Sequence, residues 1–109
     1  MKKRIVLICL AGMSTNMLVN RMRRAATLND DEVDIVAISV SEVESDIKNE
    51  QTDLYLLGPQ VRYLKNDLEK KVTELKIPIE NIDMTDYGLM DGQKVYEFAG
   101  NILKNKNNK

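Results

Sequence analysis

Apolar residues fall in short blocks along the chain, and the spacing within a block changes from one to the next. Ile5-Val6-Leu7-Ile8, in a segment from about Arg4 to Cys9, is unbroken and rich in β-branched residues. Such a run predicts a strand buried on both faces, as at the centre of a parallel sheet. From about Ser14 to Leu28 the period changes: Leu18, Met22, Ala25 and Ala26 share one helical face, and Asn29-Asp30-Asp31 ends the pattern. Asp34 to Val40 predicts a second strand. A short helix to about Asn49 follows, with Val43 and Ile47 inward and Ser41 and Glu44 as its capping box. Asp53 to Leu57 predicts a third strand. It stops at Gly58-Pro59-Gln60, a turn whose proline suits a first helical position. Val61, Leu64, Leu68, Val72 and Leu75 then give the clearest helical period in the chain. Pro78 to Asp83 is short and half polar, which predicts an edge strand. Met84 to Met90 reads as a loop, and Asp91 as the cap of a last helix carrying Val95, Phe98, Ala99, Ile102 and Leu103. Residues 105–109 are polar and predict a frayed tail behind a single domain of residues 1–104.

Strands alternating with helices predict an α/β fold: a four-stranded parallel sheet with helices on both faces, a three-layer sandwich. In such sheets ligands gather beyond the carboxyl ends of the strands, where strand order reverses. Cys9 follows the first strand, Gly58-Pro59-Gln60 the third and Tyr87 the fourth, so all are expected on one rim. Each also has a plain structural reading: a buried small thiol, a turn, and a loop anchor.

Charge narrows the function classes. The chain has 109 residues, 16 basic and 17 acidic, for a net charge of -1. Nucleic-acid binding needs a concentrated positive surface, and the short cluster Arg21, Arg23, Arg24 reads as a solvated helix face. One cysteine permits no intrachain disulfide, which suits a reducing compartment. The apolar run behind Met1-Lys2-Lys3-Arg4 is too short for a signal peptide, and no run is long enough to insert in a bilayer. A cytoplasmic chain is therefore expected. With no histidine and one cysteine, neither a metal site nor a Cys-His dyad is expected.

Cys9 is the centre of the chemistry. A thiol at the end of a parallel strand faces the start of the next helix, where unpaired N–H groups bind anions. That field also suits a nucleophilic cysteine. The loop Leu10-Ala11-Gly12-Met13-Ser14-Thr15-Asn16 offers glycine for a tight turn and three helix-capping side chains. It lacks the lysine of a nucleoside-triphosphate loop and the three glycines of a dinucleotide fingerprint, so no cofactor is expected. A cysteine-phosphatase loop places an arginine six residues after the nucleophile; Thr15 stands there. Phosphate affinity, a thiol and no hydrolytic acid and base describe a phosphoryl relay. A cysteine phosphatase and a non-catalytic interaction module are the other readings. Met13 and Met17 flank the loop and suit adaptable contacts, although helical spacing also allows a core role, Met17 above all.

These residues carry a resemblance. Cys9 to Val19 is similar to the phosphorylation loop of the lactose/cellobiose-type IIB component of the bacterial sugar phosphotransferase system. Leu56 to Tyr63 and Asp83 to Asp91 resemble that family's later shared segments. The family often has serine after the cysteine; here Leu10 removes that hydroxyl. The resemblance implies that Cys9 accepts a phosphoryl group from a phosphohistidine on a IIA protein. It further implies donation to a sugar held by the membrane IIC permease, with only transient residence at the inner face of the membrane. The sugar would be of the cellobiose, chitobiose, lactose or β-glucoside class. The site residues implied are Cys9 and its loop, with Met17, Gly58, Pro59, Gln60 and Tyr87 as rim or partner contacts.

Overall fold

Strand β1 (Lys3–Cys9) is the hub of the sheet: it pairs in parallel with β2 (Val33–Ser39) on one side and β3 (Leu54–Leu57) on the other. Strand β4 (Ile79–Asn81) adds to β3, giving the order β2-β1-β3-β4 with every pairing parallel. The computed structural model describes residues 2–10 and 13–107. The helices are α1 (Met13–Leu28), α2 (Val43–Asn49), α3 (Lys65–Val72), α4 (Met84–Gly88) and α5 (Gly92–Asn107).

Alternation along the strands builds two cores. Ile5, Leu7, Leu54 and Leu56 meet Leu18, Met22, Val95 and Ala99 of α1 and α5 on one face. Val6, Ile8, Tyr55 and Leu57 meet Val43, Val61, Leu68 and Val72 on the other. The chain is thus a three-layer α/β sandwich. The crossover after β1 carries α1 and leads to β2. The next carries α2 and leads to β3 on the opposite side of β1. The reversal of strand order therefore lies at the carboxyl ends of β1 and β3, the place where such sheets bind ligands.

Several elements differ from their predicted form. Pairing of β2 ends with Cys9 opposite Ser39, so the chain turns before the predicted end of the strand. A 3-10 turn, Val40–Glu42, precedes α2. The capping carboxylate is Glu42, which accepts from Ser39 N at 3.1 Å and Ser39 Oγ at 2.9 Å, while Glu44 pairs with Lys71. The helix expected after Pro59 is split into a 3-10 segment (Pro59–Leu64) and α3, which ends before Leu75. Met84–Gly88 is a helix rather than a loop, with the Asp83 carboxylate accepting from Asp86 N at 3.0 Å. Asp91 caps α5 as expected, accepting from Lys94 N at 3.0 Å. That helix continues to Asn107, past the point where a frayed tail was expected.

Of the apolar residues that the last helix carries, Phe98 is exposed while Val95 and Ala99 are buried. The reason lies at the start of its helix. A Cβ on Gly92 would overlap Arg21 Cβ and lie 2.5 Å from Arg21 C and 2.7 Å from Met22 N. Only glycine allows α5 to meet α1 this closely. The line Gly92-Val95-Ala99 therefore faces α1, and Phe98 is left on the flank.

The amino ends of β1 and β3 hold a polar cluster. Arg4 Nη2 lies 2.6 Å from Asp46 Oδ1, and Arg4 Nε donates to Thr52 Oγ1 at 3.2 Å. Thr52 Oγ1 and Tyr55 OH donate to Asp46 Oδ2 at 2.7 and 2.6 Å. Burial pushes the Asp46 carboxyl up. Hydrogen bonds from Tyr55, Thr52 and Arg4 outweigh this and hold it below its ordinary value. Burial and the Asp46 carboxylate raise the Tyr55 phenol.

Candidate active site

Cys9 is the last residue of β1, and α1 begins four residues later. The side chain is 3% exposed, and its thiol donates to Ile38 O of β2 at 3.4 Å. Leu10 is exposed immediately after it. Ala11 and Gly12 lie outside the described residues, as do the side chains of Met13 and Ser14. Asn16 is exposed on the first turns of α1. Met17 is 53% exposed, so it does not pack in the core.

Thr15 and Tyr87 are brought together from opposite ends of the chain. Thr15 is 1% exposed, and its Oγ1 lies 2.9 Å from Tyr87 OH. Tyr87 is 6% exposed within α4, so it is an internal anchor rather than a surface contact. Gly58 completes the arrangement. Its N–H donates to Ile8 O at 3.0 Å, and a Cβ there would lie 3.5 Å from Tyr87 Cε1. Pro59 is half-buried and Gln60 exposed at the start of the 3-10 segment. The carboxyl-end rim thus unites Cys9, Thr15, Gly58 and Tyr87, while Gln60, Leu10, Asn16 and Met17 face outward.

Helix α1 starts at Met13, after the Cys9 loop, and a helix N-terminus in general favours an anion through its N–H groups and dipole. Two of the arginines that follow Cys9 in α1 are engaged elsewhere. Arg21, the next arginine after the loop, donates to Met90 O at 3.0 Å; Arg23 donates to Ile35 O at 2.9 Å. Both serve the flanks of α1. Hydrogen bonds from Ser39, the strand partner of Cys9, hold the Glu42 carboxyl below its ordinary range. Among the described residues no group of three or more Cys, Asp or Glu is placed to hold a metal. No described helix is long and apolar enough to cross a membrane.

Thr15 is expected in the phosphate loop and Tyr87 on the rim, but their bond is not among the expectations. A signal was present: Thr15, Leu18, Val19 and Met22 follow helical spacing, which turns the threonine inward with its apolar neighbours.

Residues 4–98 match the model of the family described as PTS system, Lactose/Cellobiose specific IIB subunit. The chain belongs to this family. It is 38% identical over 104 residues to the oligo-beta-mannoside-specific EIIB component of Bacillus subtilis (strain 168), covering 95% of this chain and 99% of that protein. It is equally identical, over 93% of this chain and 96% of the relative, to the galactose-specific EIIB component of Lactococcus lactis subsp. cremoris (strain MG1363). The solution structure of the cellobiose-specific phosphotransferase IIB component from Borrelia burgdorferi superposes with a TM-score of 0.78 at 39% identity. That match covers 97% of this chain and 95% of that one. As a IIB component, the chain is a phosphotransferase of a sugar phosphotransferase system, a role that implies IIA and IIC partners in general.

Proposed function

We propose that Cys9 is the phosphoryl carrier of this IIB chain and that residues 1–104 form the carrier domain. The Cys9 thiolate attacks the phosphorus of a IIA phosphohistidine. The S–P bond forms, the N–P bond breaks, and the ring leaves as neutral imidazole, taking up a proton that balances the one the thiol gave up. A hydroxyl of the sugar on IIC then attacks the same phosphorus. The O–P bond forms, sulfur leaves as thiolate, and the hydroxyl proton passes to solvent. Leu10, Ala11, Gly12, Met13, Ser14, Thr15 and Asn16 form the loop that holds the phosphoryl group, mainly through backbone N–H groups. A sugar of the cellobiose, chitobiose, lactose or β-glucoside class is the acceptor. The chain works in the cytoplasm and meets the membrane only by docking on IIC.

The observation that carries this reading is the position of Cys9 at the end of the central strand, at the reversal of strand order and before α1. Thr15 favours relay over hydrolysis. Where a phosphatase loop needs an outward-facing arginine, this chain has a buried hydroxyl bonded to Tyr87. The thiol must also turn away from Ile38 O to react, because a thiolate is repelled by that carbonyl. The exposed Leu10 and Met17 then lie where two partners dock in turn.

The test is intact mass after incubation with phosphoenolpyruvate, the upstream carriers and a cognate IIA. One phosphoryl group should appear on the chain and be absent from Cys9→Ser. A modified Cys9→Ser, or an unmodified parent beside phosphorylated cognate IIA, would defeat the proposal.

A further inference from the structure

We infer that Tyr87 is a positioning residue for phosphoryl transfer, acting on both ends of the Cys9 loop. The inference rests on the reading of Cys9 as phosphoryl carrier. Among the described residues, two contacts flank the loop. One is at Ile8, whose carbonyl accepts from Gly58 N at 3.0 Å. The other is at Thr15, whose hydroxyl lies 2.9 Å from Tyr87 OH. The Tyr87 ring packs over Gly58, with Cε1 3.5 Å from the place a Cβ would take. One side chain therefore bonds the helical turn after the loop and lines the space beside Gly58, whose N–H holds the strand end before Cys9.

The tyrosine is itself well fixed. Its N–H donates to Asp83 O at 2.9 Å, and the Asp83 carboxylate caps the short helix α4. Its ring belongs to the core shared by α1, α5 and the sheet. Thr15 is buried, so its hydroxyl finds this partner within the protein. A helix N-terminus stabilises an anion only if its N–H groups point at it; a small rotation of that turn weakens several donors together. The Thr15–Tyr87 bond fixes that rotation. The segment Met84 to Gly88 thus enters the reaction through Thr15, without touching the phosphoryl group.

The experiment uses the full chain with phosphorylated IIA and follows the rate of phosphoryl gain by rapid quench and intact mass. Tyr87→Phe keeps the ring and removes one oxygen; Thr15→Val keeps the shape and removes the other. Each should slow transfer at saturating IIA by about tenfold, the upper range for one lost hydrogen bond. The IIA concentration giving half-maximal rate should stay unchanged. The double variant should be no slower than either single one. Thr15→Ser, which keeps the hydroxyl, should retain most of the parent rate. If Tyr87→Phe does not fold, Thr15→Val against Thr15→Ser makes the same comparison. Parent-like rates in both Tyr87→Phe and Thr15→Val would overturn the inference alone, as would multiplicative slowing in the double variant. A parent chain that gains no phosphoryl group would overturn the Cys9 reading and this inference together.

Discussion

The two ends of the parallel sheet solve opposite problems with opposite chemistry. At the amino ends of β1 and β3, a full charge is buried: Asp46 is 8% exposed and pairs at 2.6 Å with the half-buried Arg4. Every lone-pair direction that matters is filled by Thr52, Tyr55 or the guanidinium. At the carboxyl ends, the described buried polar groups are the Cys9 side chain, two hydroxyls and a glycine N–H. The first arrangement locks one structure by satisfying a charge it has already enclosed. The second leaves a rim to be charged and discharged in each cycle. A fixed buried cation beside Cys9 would bind a phosphoryl group well but resist giving it up. Backbone donors, spread over several N–H groups, favour an anion without committing a whole charge to it.

The largest effect should come from breaking each end in turn. Arg4→Met leaves Asp46 buried without its cation and should cost about 3 kcal/mol of stability. The folded fraction should still accept phosphoryl groups at the parent rate. Cys9→Ser should do the reverse, keeping the denaturant midpoint and losing all transfer. Urea melts paired with single-turnover transfer assays measure both. If Arg4→Met slowed transfer in fully folded protein, the two ends would be coupled and the division wrong.

Acid should reveal the same contrast. The folded Asp46 carboxyl titrates below its unfolded value, which lies near pH ~3.9. The unfolded chain therefore binds more protons at this group as pH falls. The stability it contributes is complete above that value and is lost as pH drops through the folded one. Asp46→Asn should flatten the acid limb of a stability–pH curve below about pH 4. It should leave the limb above unchanged in slope. An equally steep acid limb in the variant would assign acid sensitivity to other carboxylates.

The contrast also explains what the sequence could show. The sheet was legible because Ile5 to Ile8 and Leu54 to Leu57 are unbroken apolar runs, a signal that needs no long-range information. Cys9, Gly58 and Tyr87 were expected on one rim because each follows a strand, and parallel topology brings strand ends together. The Thr15–Tyr87 and Arg4–Asp46 bonds join residues 72 and 42 positions apart, and hydrophobic periodicity carries no record of such pairs. Ser41 and Glu44 fit a capping box as well as Ser39 and Glu42 do. The choice was made by the strand pairing that ends at Ser39, which is tertiary information. The period of the last helix does not say which of its apolar residues is buried; the close approach at Gly92 turns Val95 and Ala99 toward α1 and leaves Phe98 on the flank.

The smallest effect tests whether burial, rather than pairing, separates the ends. Lys71 and Glu44 join α3 to α2 at 2.6 Å, as close as Arg4 to Asp46, but both side chains stand in solvent. The hydrogen bond and charge of Lys71 lower the Glu44 carboxyl. In water that shift carries little stability, because each ion is well hydrated when the pair is broken and salt screens what attraction remains. Lys71→Met should therefore leave the urea midpoint where it was, at low and high salt alike. If it shifted the midpoint as far as Arg4→Met does, short distance alone would explain the amino-end cluster. The enclosure of Asp46 by Thr52, Tyr55 and Arg4 would then not be what distinguishes that end from the rim around Cys9.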